Sequence, residues 1–327
     1  MTARRLSLAL RCIFSAALII FVLHKLDWRE LFQILGYLDG GWALAGCATT
    51  SLLVVGLGAR WRIFLQAQGI ELPFGTVLSL TWAGQFFNTL LPGSTGGDVV
   101  KIYHICQLAP DRKAAAAATV LVDRITAFFA LLLLAGVGLI INPVPLRVLI
   151  HSLALGKTVL WASVALLVTL VIAWLLFRVM RGTLWGDRLL RTLSAARRSF
   201  VFNWRWVGAF LLALAMHLLI VIAAYFFGRA LGISIGYLQV LVMLPVISLF
   251  VMLPITINGH GLRELLLIGY FTEMGVTLGG NAGSGVRETA IAFSLLMVAN
   301  DLLWALPGGI WYSIRFKSAR HEAPRAA

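Results

Sequence analysis

Charge is what this sequence has least of. Only 12% of its 327 residues are Asp, Glu, Lys or Arg, while 60% are hydrophobic and mean hydropathy is +0.92. Soluble domains carry about 25% charged residues, so a water-facing globule is excluded. Acidic residues are scarcest: 13, against 27 basic ones, for a net charge of +14. With no soluble basic domain to carry it, that excess does not mean nucleic acid. It reads as a topology signal and as contact with anionic lipid headgroups. Cysteine is also sparse. Cys12, Cys47 and Cys106 are scattered through apolar or boundary sequence, without disulfide or metal-ligand spacing. No His and carboxylate cluster has metal spacing, and neither a paired-Asp nucleotide-metal motif nor a nucleotide loop occurs. No metal, cofactor, catalytic residue or ATP-driven cycle is therefore expected of this chain, and an enzyme is not the leading reading.

Long apolar runs are what the sequence does have. A membrane span needs about 20 such residues, and six can be drawn, at about 6–24, 41–60, 114–141, 157–177, 206–228 and 288–314. The first, behind Arg4 and Arg5 and without a small-residue cleavage site, reads as a retained span rather than a leader. Two amphipathic stretches, about 27–38 and 185–205, suit helices lying in the interface.

Two further apolar stretches, about 76–107 and 238–274, are interrupted. The first breaks at Leu91-Pro92-Gly93-Ser94-Thr95-Gly96-Gly97-Asp98 and the second at Leu253-Pro254-Ile255-Thr256-Ile257-Asn258-Gly259-His260-Gly261. Proline cannot continue a helix and glycine permits irregular backbone. Such backbone survives at membrane depth only inside protein or along a polar cavity. Both read as re-entrant helical hairpins entering from opposite sides, and their loops are expected to approach each other near the midplane. With six crossings, 19 Lys and Arg fall on the inner face and seven on the outer, which places both termini inside. Two extra full crossings would place the termini equally well. The expected fold is thus all-α: a single polytopic membrane domain over residues 1–327, in the cytoplasmic membrane.

The combination of Leu91-Pro92-Gly93-Ser94-Thr95-Gly96-Gly97-Asp98-Val99-Val100-Lys101, Asn258-Gly259-His260-Gly261-Leu262-Arg263-Glu264 and Leu306-Pro307-Gly308-Gly309 resembles the flippase-like membrane domain of lysylphosphatidylglycerol synthases, and its stand-alone relatives, over about residues 8–316. The resemblance implies a lipid-translocating fold. It does not imply aminoacyl transfer, because the soluble synthase domain of the fused members has no counterpart here.

The residues expected to meet a lipid are Gly96, Gly97, Asp98 and Lys101 in the first hairpin and Asn258, Gly259, Gly261, Arg263 and Glu264 in the second. Each hairpin aims a helix N-terminus, with free N–H groups, at the middle of the protein, and such ends bind phosphate. Asp98 could equally cap its helix, and Lys101 could snorkel to the cytoplasmic interface. Arg263 sits at a helix start, where the dipole disfavours a cation, and so calls for an anionic headgroup or a carboxylate. Asp123 and Arg124 lie within a span and need partners, with Asp301 the expected partner of Arg124 in a structural or coupling ion pair. Arg124 at a lipid phosphate is the competing reading. His217, alone in an apolar span, reads as a packing residue. The leading function is translocation of a lipid, an anionic one first, or of a lipid-linked headgroup. The alternatives are an integral-membrane lipid-headgroup or glycosyl transferase, or a non-transporting subunit serving a separately encoded enzyme of that kind.

Overall fold

A computed structural model describes residues 28–90, 96–145, 204–252, 259–276 and 285–321. The spans expected at 6–24 and 157–177, nearly all of the interfacial segment 185–205, and the loop residues 91–95 and 253–258 lie outside them. All regular structure described is helical: α1 (Trp28–Gly36), α2 (Gly40–Ala67), α3 (Phe74–Leu90), α4 (Gly96–Leu108), α5 (Lys113–Ile141), α6 (Trp204–Ala230), α7 (Tyr237–Val251), α8 (Leu262–Glu273) and α9 (Val286–His321).

Four of these are long and apolar enough to cross a bilayer: α2, α5 with the short 3-10 turn before it, α6, and α9 as far as Ile314. They coincide with four of the six expected spans. α2 outruns its expected end at Arg60 by two turns, because Arg60 is neutralised within the fold. α1 buries Leu31 and Ile34 while leaving Phe32 outside, the pattern expected of its amphipathic sequence.

Small residues set the helix packing, as they do where lipid offers no hydrophobic drive between helices. α2 and α6 run antiparallel, with Gly46 against Phe227 and Gly56 against Met216. The amide of Asp39, whose carboxylate caps α2 at Gly41 and Trp42, ties that end to the Ala230 carbonyl of α6. α9 returns along α6, from Phe293 beside Gly228 to Asp301 in a cleft shared with Leu219 and Ile220. Pro307 lies inside α9 without ending it. Beside it, the Trp304 carbonyl accepts the Trp82 indole N–H at 2.5 Å, and Gly308 lets the α3 backbone come close at Trp82.

Each of the two interrupted stretches contributes a pair of short helices. α3 and α4 pack together, as do α7 and α8. At 17, 13, 15 and 12 residues and 1.5 Å per residue, none reaches the hydrocarbon thickness of about 30 Å. The expected approach of the two loops falls mainly on residues 91–95 and 253–258, outside the described residues; the helices on either side of them do not meet. Neither α3 nor α4 contacts α7 or α8; α5 packs against α4 and α7, and α9 against α3 and α8. Small residues that favour close approach lie at the α5 and α9 contacts, not between the hairpins.

Candidate functional site: a charged cluster where α2, α4 and α5 meet

The start of α4 is fixed by close packing on α3. A Cβ on Gly97 would fall 1.8 Å from the carbonyl oxygen of Gly84, so only glycine permits this approach. The Gly97 amide donates to Asn88 Oδ1 at 2.8 Å, so the cap comes from α3. Asp98 in the first turn is thereby free for another task. Its two oxygens accept Arg124 Nε and Nη2 at 2.8 and 2.9 Å. The expected Arg124–Asp301 pair is therefore corrected: Arg124 on α5 reaches the first hairpin, not α9. A two-point guanidinium–carboxylate fit is the geometry arginine favours.

One residue earlier on α5, Asp123 faces the other way, as neighbours on a helix do. It accepts Arg60 Nε and Nη2 of α2 at 2.7 and 3.1 Å. This pair is deeply buried, the side chains being 4% and 10% exposed, whereas Arg124 is 46% exposed. Trp61 beside Arg60 is fully buried, and its indole N–H donates to Thr119 Oγ1 at 3.1 Å.

Lys101, one turn along α4 from Asp98, completes the cluster. It does not snorkel. It is 8% exposed, its ammonium lies 5.0 Å from the centroid of the Trp61 ring, and Gly84 leaves room for its methylenes. Such cation–π contacts are worth about 0.5–2 kcal/mol. Arg60, Asp98, Asp123 and Arg124 all act electrostatically on it, yet among the described residues no carboxylate is within ion-pair distance. Among the described residues, three cations and two carboxylates leave one positive charge in this cluster without a counter-charge.

The second hairpin is organised differently. Gly259 and Gly261 have φ of +77° and +85°, a left-handed backbone that suits glycine and few other residues, so both are required by the turn itself. Glu264 reaches back to the Gly261 amide at 2.6 Å. It also accepts Ser294 Oγ–H at 2.6 Å and Arg263 Nη2 at 3.2 Å, while Arg263 Nε donates to Ser294 Oγ at 3.0 Å. The carboxylate that Arg263 calls for is thus its own neighbour, brought round by α9. Asn258 lies outside the described residues. His217 Nε2–H donates to the Ala127 carbonyl at 3.0 Å, tying α6 to α5.

Arg60, Trp61, Asn88 and Ser294 escape sequence reasoning. Arg60 reads as a charge just beyond a span, and only the fold sets it against Asp123, 63 positions away. Among the described residues no His, Cys, Asp and Glu group could hold a metal ion.

In comparisons with known proteins, the family model for the lysylphosphatidylglycerol synthase TM region matches residues 8–299. No curated protein matches the chain.

Proposed function

The chain belongs to the lysylphosphatidylglycerol synthase TM-region family, and from that premise we propose that it moves an anionic lipid, or a lipid-linked anionic headgroup, across the cytoplasmic membrane. Membership by itself carries the coarser statement, a lipid-related role for a multi-pass membrane protein. The observation that supports the finer one is the uncompensated charge at Lys101. Lys101 is 8% exposed, and a cation buried away from water without a counter-charge in contact is costly. A passing phosphate offsets that cost, and the lysine in turn replaces water around the phosphate. Trp61 holds the ammonium in place, and Arg124, paired yet half open, supplies a second cation at the same level. Asp98 keeps the site from binding an anion too tightly for release.

In this reading both interrupted units are re-entrant, both termini are cytoplasmic, and α1 lies in the interface. The first hairpin carries the charge selection. The second, with its ions satisfied internally, serves as a rigid wall. A separately encoded lipid-modifying or glycosyl transferase is the partner that would supply or use the translocated lipid.

The test is reconstitution of the full chain into sealed vesicles with a fluorescent anionic lipid in both leaflets, followed by reduction of the outer probe. The parent protein should expose inner-leaflet probe, and Lys101→Gln should slow that exposure for anionic more than for zwitterionic lipid. Equal rates for parent, Lys101→Gln and empty vesicles would remove the reading. Turnover of labelled lipid in detergent would point instead to a transferase.

A further inference from the structure

Asp301 lies midway along the spanning part of α9, and among the described residues it makes neither a hydrogen bond nor an ion pair. The cation that acts on it electrostatically is Arg263, which is already committed to Glu264 and Ser294. Asp301 is exposed among the described residues, and it lines the rim of a cavity of about 40 Å³ between α2, α6 and α9. Most of the wall is apolar, with Leu53, Ile220 and Phe227 among its residues. The polar exceptions are Thr50, Asn300 and Asp301.

Asn300 strengthens the case independently. It is 6% exposed, and its amide donates to Thr50 Oγ1 at 3.0 Å. Its Oδ1 is buried without any partner. A buried polar atom left unpaired costs about 1–3 kcal/mol, so an acceptor held in this state marks a missing donor or cation. Thr50 Oγ–H is spent on the Gly46 carbonyl at 3.0 Å, so its oxygen has only acceptor capacity left beyond the Asn300 bond. The wall therefore offers three kinds of oxygen, carboxylate, amide and hydroxyl, and the second Nδ2–H of Asn300 as its remaining donor.

We infer that Thr50, Asn300 and Asp301 form a binding site for a small monovalent cation, Na⁺ being the fit. An all-oxygen set suits a hard cation. One carboxylate balances one positive charge, and the field of Arg263 weighs against a divalent ion. A cavity this size holds one or two water-sized groups, enough for a cation with a water ligand and far too little for a lipid headgroup. The site sits on α9, which also packs against both hairpins, so occupancy is placed to bias either one. It is argued apart from the lipid reading and does not depend on it.

The experiment is thermal unfolding of the purified full chain in detergent, titrating NaCl against choline chloride at constant ionic strength, with KCl as the second comparison. Anything that binds the folded state raises the melting temperature in a saturable way. Na⁺ should do so, with K⁺ weaker and choline inert. Thr50→Val, which keeps size and removes the hydroxyl oxygen, should weaken apparent Na⁺ affinity by about tenfold, or 1.4 kcal/mol. Asp301→Asn should abolish the shift. A parent protein whose melting point is the same in all three salts, or rises equally in all, overturns the site whatever the variants do. A melting point that responds to pH but not to Na⁺ also overturns it. Lipid transport that fails while the Na⁺ shift persists would count against the proposed function alone.

Discussion

Arg124 of α5 and Asp98 of α4 meet in a two-point ion pair at 2.8 and 2.9 Å, which fastens the first turn of α4 to a helix long and apolar enough to cross a membrane. Because Arg124 is 46% exposed, the pair holds position more than it holds stability. Asp98 is 17% exposed, so Asp98→Asn should lower stability, but by less than the loss of either partner in the more deeply buried Arg60–Asp123 pair. It should nonetheless change lipid transport by leaving a second cation unmatched beside Lys101. Thermal unfolding and the vesicle assay on one preparation check both halves, and a large loss of stability would contradict the first.

Arg60 and Asp123 should behave in the opposite way. Their side chains are 4% and 10% exposed, so Asp123→Asn strands a buried guanidinium and should cost about 3–5 kcal/mol. Arg60→Gln combined with Asp123→Asn should recover most of it, and a double-mutant cycle in detergent reads the coupling. Additive losses would show that the pair is not a unit.

Glycine substitutions should sort by what their new methyl meets. Gly97→Ala drives a Cβ to 1.8 Å from the Gly84 carbonyl oxygen, and Gly308→Ala to 2.3 Å from that of Trp82. Each should lose about 1–3 kcal/mol by overpacking. Gly208→Ala, with nothing within 4 Å, should be neutral. If all three melt alike, the close helix crossings are not as drawn.

The topology can be read with single cysteines. Arg198→Cys and Arg320→Cys, in a background lacking the native cysteines, should resist a membrane-impermeant thiol reagent applied to intact cells. Outside labelling at either position would contradict the inward placement that the basic residues give. That placement tolerates one revision from the fold: Arg60 and Lys101 are used within the bundle, which lowers the inner tally without reversing the asymmetry.

Element type and position were legible because they follow from local chemistry. Apolar length alone located α2, α5, α6 and α9, and Asp27-Trp28-Arg29-Glu30 through Leu35 announced α1 by its period. Pro92 and Pro254 marked where α3 and α7 stop because glycine follows each within a few residues; proline alone did not decide it, since Pro245 and Pro307 lie inside helices. What the order of residues could not give was partnership. Asp98 looked like a cap until Asn88 took the Gly97 amide. Arg124 looked bound for Asp301 until α5 set it beside α4, and Lys101 looked bound for the interface until Trp61 offered a ring face. An ion pair depends on the rotation of two helices that small residues allow to approach, and those contacts join positions 26 and 63 residues apart. Sequence thus determined that charges would be buried in this membrane protein. Only the packing of the helices decided which were neutralised, leaving Lys101 and Asp301 without a counter-charge in contact among the described residues, because distance and orientation, not order along the chain, set electrostatic partnership.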